Sequence, residues 1–157
     1  MKLSEALSMR KQLNQKIEAL WQRFHANLKR QEDETEVDEN PVVLLQTINS
    51  TIAELESVVV TINQVNNRVT IQAGDAGEVF QGTIMQAIAR REALNRKMKG
   101  LDSAIGSLSY RHRRSKDELK EIPMIPLAEL RGRRDALAAD YRKLDAALQT
   151  ANWNTEV

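Results

Sequence analysis

Four stretches of this sequence place apolar side chains at intervals of three and four residues, a spacing that gives each an α-helix with one dry and one wet face. The first covers 3–31, with Leu3, Leu7, Leu13, Ile17, Leu20, Trp21, Phe24 and Leu28. The second covers 41–68, where Leu45, Ile48, Ile52, Leu55, Val59 and Ile62, continuing to Val69, form the stripe and Asn66 interrupts it. The third covers 83–111, carried by Ile84, Ile88, Arg91, Leu94, Met98, Leu101, Ile105 and Leu108. The last covers 126–151, with Leu127, Leu130, Leu137, Tyr141, Leu144 and Leu148. Helices of these lengths extend roughly 36–45 Å, and the segments joining them are short. The expected fold is all-α: an antiparallel up-down-up-down four-helix bundle, with residues 1–157 as a single domain. A long coiled-coil hairpin that completes its core by dimerising is the alternative. The first helix favours the bundle, because its apolar residues cover three heptad positions instead of two.

The breaks between stripes have their own chemistry. Glu32, Asp33, Glu34, Glu36, Asp38 and Glu39 make a self-repelling acidic loop. Asn40-Pro41 restarts a helix, since Asn suits the N-cap and Pro the first helical position. Residues 69–82 combine Val-Thr-Ile-Gln, a glycine-bearing loop and Glu-Val-Phe-Gln, which fits a short β-hairpin or an irregular loop between helices 2 and 3. Thr83 with Gln86 forms a capping box for the third helix. Gly100 and Gly106 lie inside that helix, where they weaken it and leave room for close helix approach. A basic cluster, Arg111–Lys116, precedes a short connector that Pro123 ends, and Pro126 sits near the start of the last helix.

Composition narrows the class. Charged residues are 29% and hydrophobic residues 41% of 157, the balance of a folded protein and not of a disordered one. Two each of Trp, Tyr and Phe leave the core to aliphatic side chains, which helix packing uses readily. There is no cysteine, so disulfides, thiolate zinc sites and a cysteine nucleophile are excluded. A net charge of +1 supplies no global attraction to nucleic acid or to an anionic membrane. Met1-Lys2-Leu3-Ser4-Glu5 lacks the apolar core of a signal peptide, and the longest apolar run, Val42–Leu45, is too short to span a bilayer. The cytoplasm is the expected location, with no membrane partner.

Bundle topology then predicts which residues meet. The first and third connections share an end, which sets the acidic loop beside Arg111–Lys116. Near the opposite end, Arg10, Arg91, Glu92 and Asp145 come to one height, with Asn63, Asn66 and Tyr141 around them. Arginine is rarely buried unpaired, so this group is either a structural polar layer fixing helix register or a site for a small polar or anionic ligand. At the same end, Val69, Ile71, Val79, Phe80 and Trp153 are too apolar for an isolated hairpin and suggest a surface for self-association.

No reaction chemistry reaches comparable strength. A ferritin-like centre needs Glu-x-x-His pairs, but Gln22 and Ser109 stand three residues before His25 and His112. Paired carboxylates for magnesium are limited to Glu118 with Glu121 in a connector and the badly spaced Glu54 and Glu56. The acidic loop lacks the glycine and alternation of a calcium-binding EF-hand. Arg111–Lys116 could contact phosphates, yet only Tyr110 is at hand to stack on a base, so nucleic acid is a weak alternative. The sequence implies no catalytic residue, metal or cofactor.

Several local motifs resemble a known family. They are Met1–Leu7 with Arg10, the Ile62-Asn63…Asn66 segment, Ala87…Ala89-Arg90-Arg91-Glu92, Tyr110-Arg111…Arg113-Arg114-Ser115, and the ending Ala151-Asn152-Trp153-Asn154-Thr155-Glu156. Together they resemble an uncharacterised family of small bacterial helical proteins labelled septicolysin, over nearly the whole chain. Glu92 stands where the family pattern has Asp, which keeps the charge. The resemblance implies a bacterial, cytoplasmic helical protein without an assigned activity, of a kind that travels on mobile elements such as integron cassettes. The toxin role suggested by the label has no counterpart in cysteines, export signal or membrane-length segment. The expectation is therefore a non-enzymatic binding or scaffold protein acting as a homo-oligomer. A polar-ligand site at Arg10, Asn66, Arg91, Glu92 and Asp145 is the alternative.

Overall fold

A computed structural model describes residues 1–29, 39–109 and 122–157. The chain is all-α, of the helical-bundle class that the stripes predict. Its helices are α1 (Leu3–Ala26), α2 (Pro41–Arg68), α3 (Ile84–Ser109) and α4 (Leu127–Asn154). Strands β1 (Thr70–Ala73) and β2 (Phe80–Thr83) form an antiparallel pair between α2 and α3. Of the two possibilities for residues 69–82, the hairpin is the one observed. Residues 32–38 of the acidic loop and the basic cluster Arg111–Lys116 lie outside the described residues, so the expected pairing of the two is not seen either way. The described residues fall into two compact units, Met1–Arg68 with Asn152–Val157, and Val69–Ala151.

In the first unit, α1 ends five residues earlier than its stripe suggests. Asn27 stops it: its backbone N–H and side-chain Nδ2 both donate to the Arg23 carbonyl, at 3.1 and 2.9 Å. Its Oδ1 then accepts the N–H of Glu39 at 2.9 Å, closing the base of the α1–α2 connection. Glu39 also takes a bidentate pair from the Arg23 guanidinium. Asn40 caps α2 as expected, its Oδ1 accepting from the Val42 N–H at 2.9 Å. Leu20 packs with Leu44 and Ile48, flanked by Trp21 and Phe24.

The buried row of α2 shares Ile48 and Ile62 with the predicted stripe and otherwise differs from it. It comprises Leu44, Ile48, Thr51, Val58, Ile62 and Val65, while Leu45 and Ile52 are exposed. Two adjacent rows of α2 are both apolar at helical spacing, so periodicity alone could not say which one turns inward. Thr51 tolerates full burial because its hydroxyl donates to the Thr47 carbonyl at 2.8 Å. The chain ends join this unit: the Leu3 N–H donates to the Thr155 carbonyl, and the Val157 N–H to that of Met1, both at 2.9 Å.

In the second unit the hairpin pairs Thr70 with Thr83 and Ala73 with Phe80. Its connection turns through Gly74 and Gly77, both with φ near +80°, a conformation that a Cβ disfavours. Strand β2 runs directly into α3 through the predicted capping box. The Thr83 N–H donates to Gln86 Oε1 at 2.9 Å, and the Gln86 N–H to the Thr83 hydroxyl at 3.2 Å. Helix α4 begins after Pro126, whose carbonyl accepts from Glu129 and Leu130. It extends three residues beyond the predicted 151, so that Trp153 belongs to its last turn.

Candidate functional site

Two ion pairs set the register between α3 and α4. Arg91 Nη1 donates to Asp145 Oδ1 at 2.6 Å, and Arg134 Nε donates to Asp102 Oδ1 at 2.9 Å. From the first pair to the second is eleven residues forward on α3 and eleven back on α4, which returns each helix to the same face after three turns. The polarity is exchanged between the two, so the charges mark an antiparallel alignment and penalise a parallel one. The structure thus brings together two members of the predicted polar group, Arg91 and Asp145. Both side chains are only half-buried, 36% and 27% exposed, and Gln149 Nε2 occupies the second Asp145 oxygen at 2.7 Å.

The other members go elsewhere. Glu92 is exposed and pairs with Arg96 one turn along its own helix. Arg10 follows Leu3 and Ala6 and precedes Leu13 on the inward row of α1, but it is exposed, and no ion pair involves it among the described residues. A long guanidinium stem at such a position carries its charge to water, and burial of Arg10 is corrected on that ground. Asn66 and Tyr141 are half-buried, and Asn63 is exposed.

Between the two ion pairs lies a shallow cleft of about 610 Å³ along α3 and α4. Gly100, Leu101, Ala136 and Leu137 floor it, and Lys97, Arg133 and Asp140 stand at its rim. Its cause is local: small residues leave nothing to bridge the helices there. The expectation that Gly100 and Gly106 allow close helix approach is corrected, since a Cβ at either would meet nothing within 4 Å. Arg133 is already engaged by Glu129 at 2.6 Å.

The predicted interaction surface is only partly exposed. Val69, Ile71, Val79 and Phe80 are half-buried, whereas Trp153 is 69% exposed. The hairpin loop is tied down by Lys143, whose Nζ donates to Glu78 Oε1 at 2.6 Å. That contact holds the Glu78 carboxyl below its usual range and raises the Lys143 ammonium above its own. His25 stacks on Trp21 at 6.0 Å and presents no carboxylate partner among the described residues. His112 lies outside them.

Sequence reasoning missed Asn27, Asp102–Arg134 and Glu78–Lys143. For the second of these a signal existed, because the eleven-residue repeat of opposite charges is visible once α3 and α4 are aligned on Arg91 and Asp145.

The search of curated proteins finds no match. Among solved structures, a functionally unknown conserved protein from Corynebacterium diphtheriae is similar, at 28% identity and a TM-score of 0.81, over 100% of this chain and 98% of that one. Its helical fold agrees with the architecture above. Residues 10–157 match the model of a family of unknown function, DUF6847, and the chain belongs to that family.

Proposed function

We propose that this protein is a non-enzymatic binding or scaffold protein that acts as a homo-oligomer. One observation carries the reading. Helix α2 leaves Val42, Val43, Leu45, Ile52 and Val60 between 38% and 62% exposed. Only 17% of its most apolar eighteen-residue window is buried. By length and composition α2 could cross a membrane, but its inward row packs on α1, and the bare row asks for a protein partner. Meanwhile the charged groups that could have formed a reactive set neutralise one another in pairs, as Arg91 does with Asp145 and Arg134 with Asp102. The reading places the protein in a bacterial cytoplasm, in keeping with the septicolysin-like motifs. Native mass spectrometry of the wild-type chain at micromolar concentration tests it. A mass of two or more subunits is the expected result, and a monomer at every concentration would overturn it.

A polar-ligand site remains the second reading, supported by the meeting of Arg91 and Asp145. It requires a small anion or polar molecule to displace the Gln149 contact. Binding of such a molecule that disappears in Arg91→Met while the fold persists would establish it.

A further inference from the structure

We infer that the outward row of α2 is a two-heptad seam on which a second copy of this chain docks, with the two α2 helices parallel about a two-fold axis. The inference rests on the homo-oligomer reading above and names its surface.

Helix α2 carries two heptad rows. The inward one is Leu44, Ile48, Thr51, Leu55, Val58, Ile62 and Val65, alternating steps of four and three residues. The outward one is Val42, Leu45, Asn49 and Ile52, alternating three, four and three, and all four residues are exposed. Such a row is what one helix offers to another in a coiled coil, with Val42 and Asn49 at a positions and Leu45 and Ile52 at d. A row this regular is not required for solubility, since polar residues there would have cost nothing.

Charge identifies the occupant. From Asn40 to Ala53 there is no charged side chain, so an identical helix brings no repulsion to this stretch, and a charged partner would find nothing to pair with. Asn49 sets the direction. In a parallel pair each seam residue faces its own copy, so the two Asn49 amides satisfy each other and fix register. In an antiparallel pair a positions face d positions, which would set Asn49 against Leu45 and bury an unpaired amide. Glu56 occupies the next a position, and two copies of it would repel, so the seam ends after Ile52. Two heptads are short for an isolated coiled coil. Here the helix is already formed against α1, so association does not bear the cost of folding it.

The absence of cysteine from the chain makes the test direct, because any introduced cysteine is unique. Leu45→Cys, Asn49→Cys and Ile52→Cys should each cross-link to themselves under mild oxidation, while Ser50→Cys, exposed on a different face of α2, should not. Leu45→Glu should halve the mass of the assembly in sedimentation, with helical circular dichroism unchanged. A dimer that survives Leu45→Glu and cross-links through Phe80→Cys would overturn the seam and leave the homo-oligomer reading intact. Cross-linking only in mixtures of Leu45→Cys and Asn49→Cys would overturn the parallel arrangement. Flotation of the wild-type monomer with phosphatidylcholine–phosphatidylglycerol vesicles would assign the row to a membrane surface and overturn the proposal. A wild-type monomer without vesicle binding would remove both the seam and the reading on which it rests.

Discussion

Arg91 and Asp145 form an ion pair at 2.6 Å whose charges reappear, exchanged between the helices, at Asp102 and Arg134 eleven residues away along each. This arrangement specifies helix direction more than it supplies stability. Arg91 and Asp145 keep about a third of their side-chain surface in water, where an ion pair is worth about 0–1 kcal/mol. Asp145→Asn should therefore lower stability by no more than about 1 kcal/mol in urea unfolding. A loss of several kcal/mol, the cost expected of a desolvated pair, would show that the pair is buried in solution.

Asn27 is a different case, being 9% exposed and bonded through its backbone N–H, Nδ2 and Oδ1. Asn27→Ala removes the stop of α1 and leaves the Glu39 N–H without its acceptor. A cost of about 1–3 kcal/mol is expected. Thermal unfolding and amide exchange at Glu39 would measure it, and an unchanged exchange rate would argue against the bridge.

Two glycine substitutions should act in opposite directions. Gly74 has φ +82°, and a Cβ there would lie 2.7 Å from Glu78 Cγ and 2.9 Å from Val79 Cγ2. Gly74→Ala should destabilise by about 1–3 kcal/mol from the backbone alone, since its ψ of 176° puts it in an extended positive-φ region that is essentially glycine-only, with the contacts adding to it. Gly132 lies within α4 with nothing near its Cβ. Gly132→Ala should stabilise, by up to about 1 kcal/mol. Paired melting curves decide both.

The hairpin tether should be sensitive to acid. Hydrogen bonding from Lys143 depresses the Glu78 carboxyl, followed by the charge attraction between them. A carboxyl lowered in the folded state contributes stability above its unfolded pKa and loses it as pH falls through the folded one. Amide-exchange protection across residues 74–79, corrected for the intrinsic pH dependence of exchange, should thus fall as pH drops through the acidic range, and Lys143→Met should show the lowered protection already at neutral pH. On the alkaline side the raised Lys143 ammonium holds the contact until pH exceeds its folded pKa. An exchange profile identical in the variant would separate the loop's order from this pair.

Local spacing was enough to specify four helices, the Asn40 cap and the Thr83–Gln86 capping box, because each depends on residues within one or two turns of each other. The hairpin was half legible: its strand-like residues were visible, but whether they paired depended on Gly74 and Gly77 accepting positive φ. Which apolar row of α2 turns inward was legible only in part: Ile48 and Ile62 stand in the predicted stripe and are buried, whereas Leu45 and Ile52 are exposed. Leu44 and Leu45 are equally hydrophobic, and so are Thr51's neighbour Ile52 and Ile48; only packing against Leu20 on α1 selects Leu44 and Ile48 and leaves Leu45 and Ile52 in solvent. The polar group divided in the same way. Arg91 reached Asp145 because helix rise sets their height, whereas Glu92, one residue and 100° further round α3, turned to Arg96. Composition and periodicity act through neighbours in the chain, while the choice among equivalent faces and charges is made by what a second helix places opposite them.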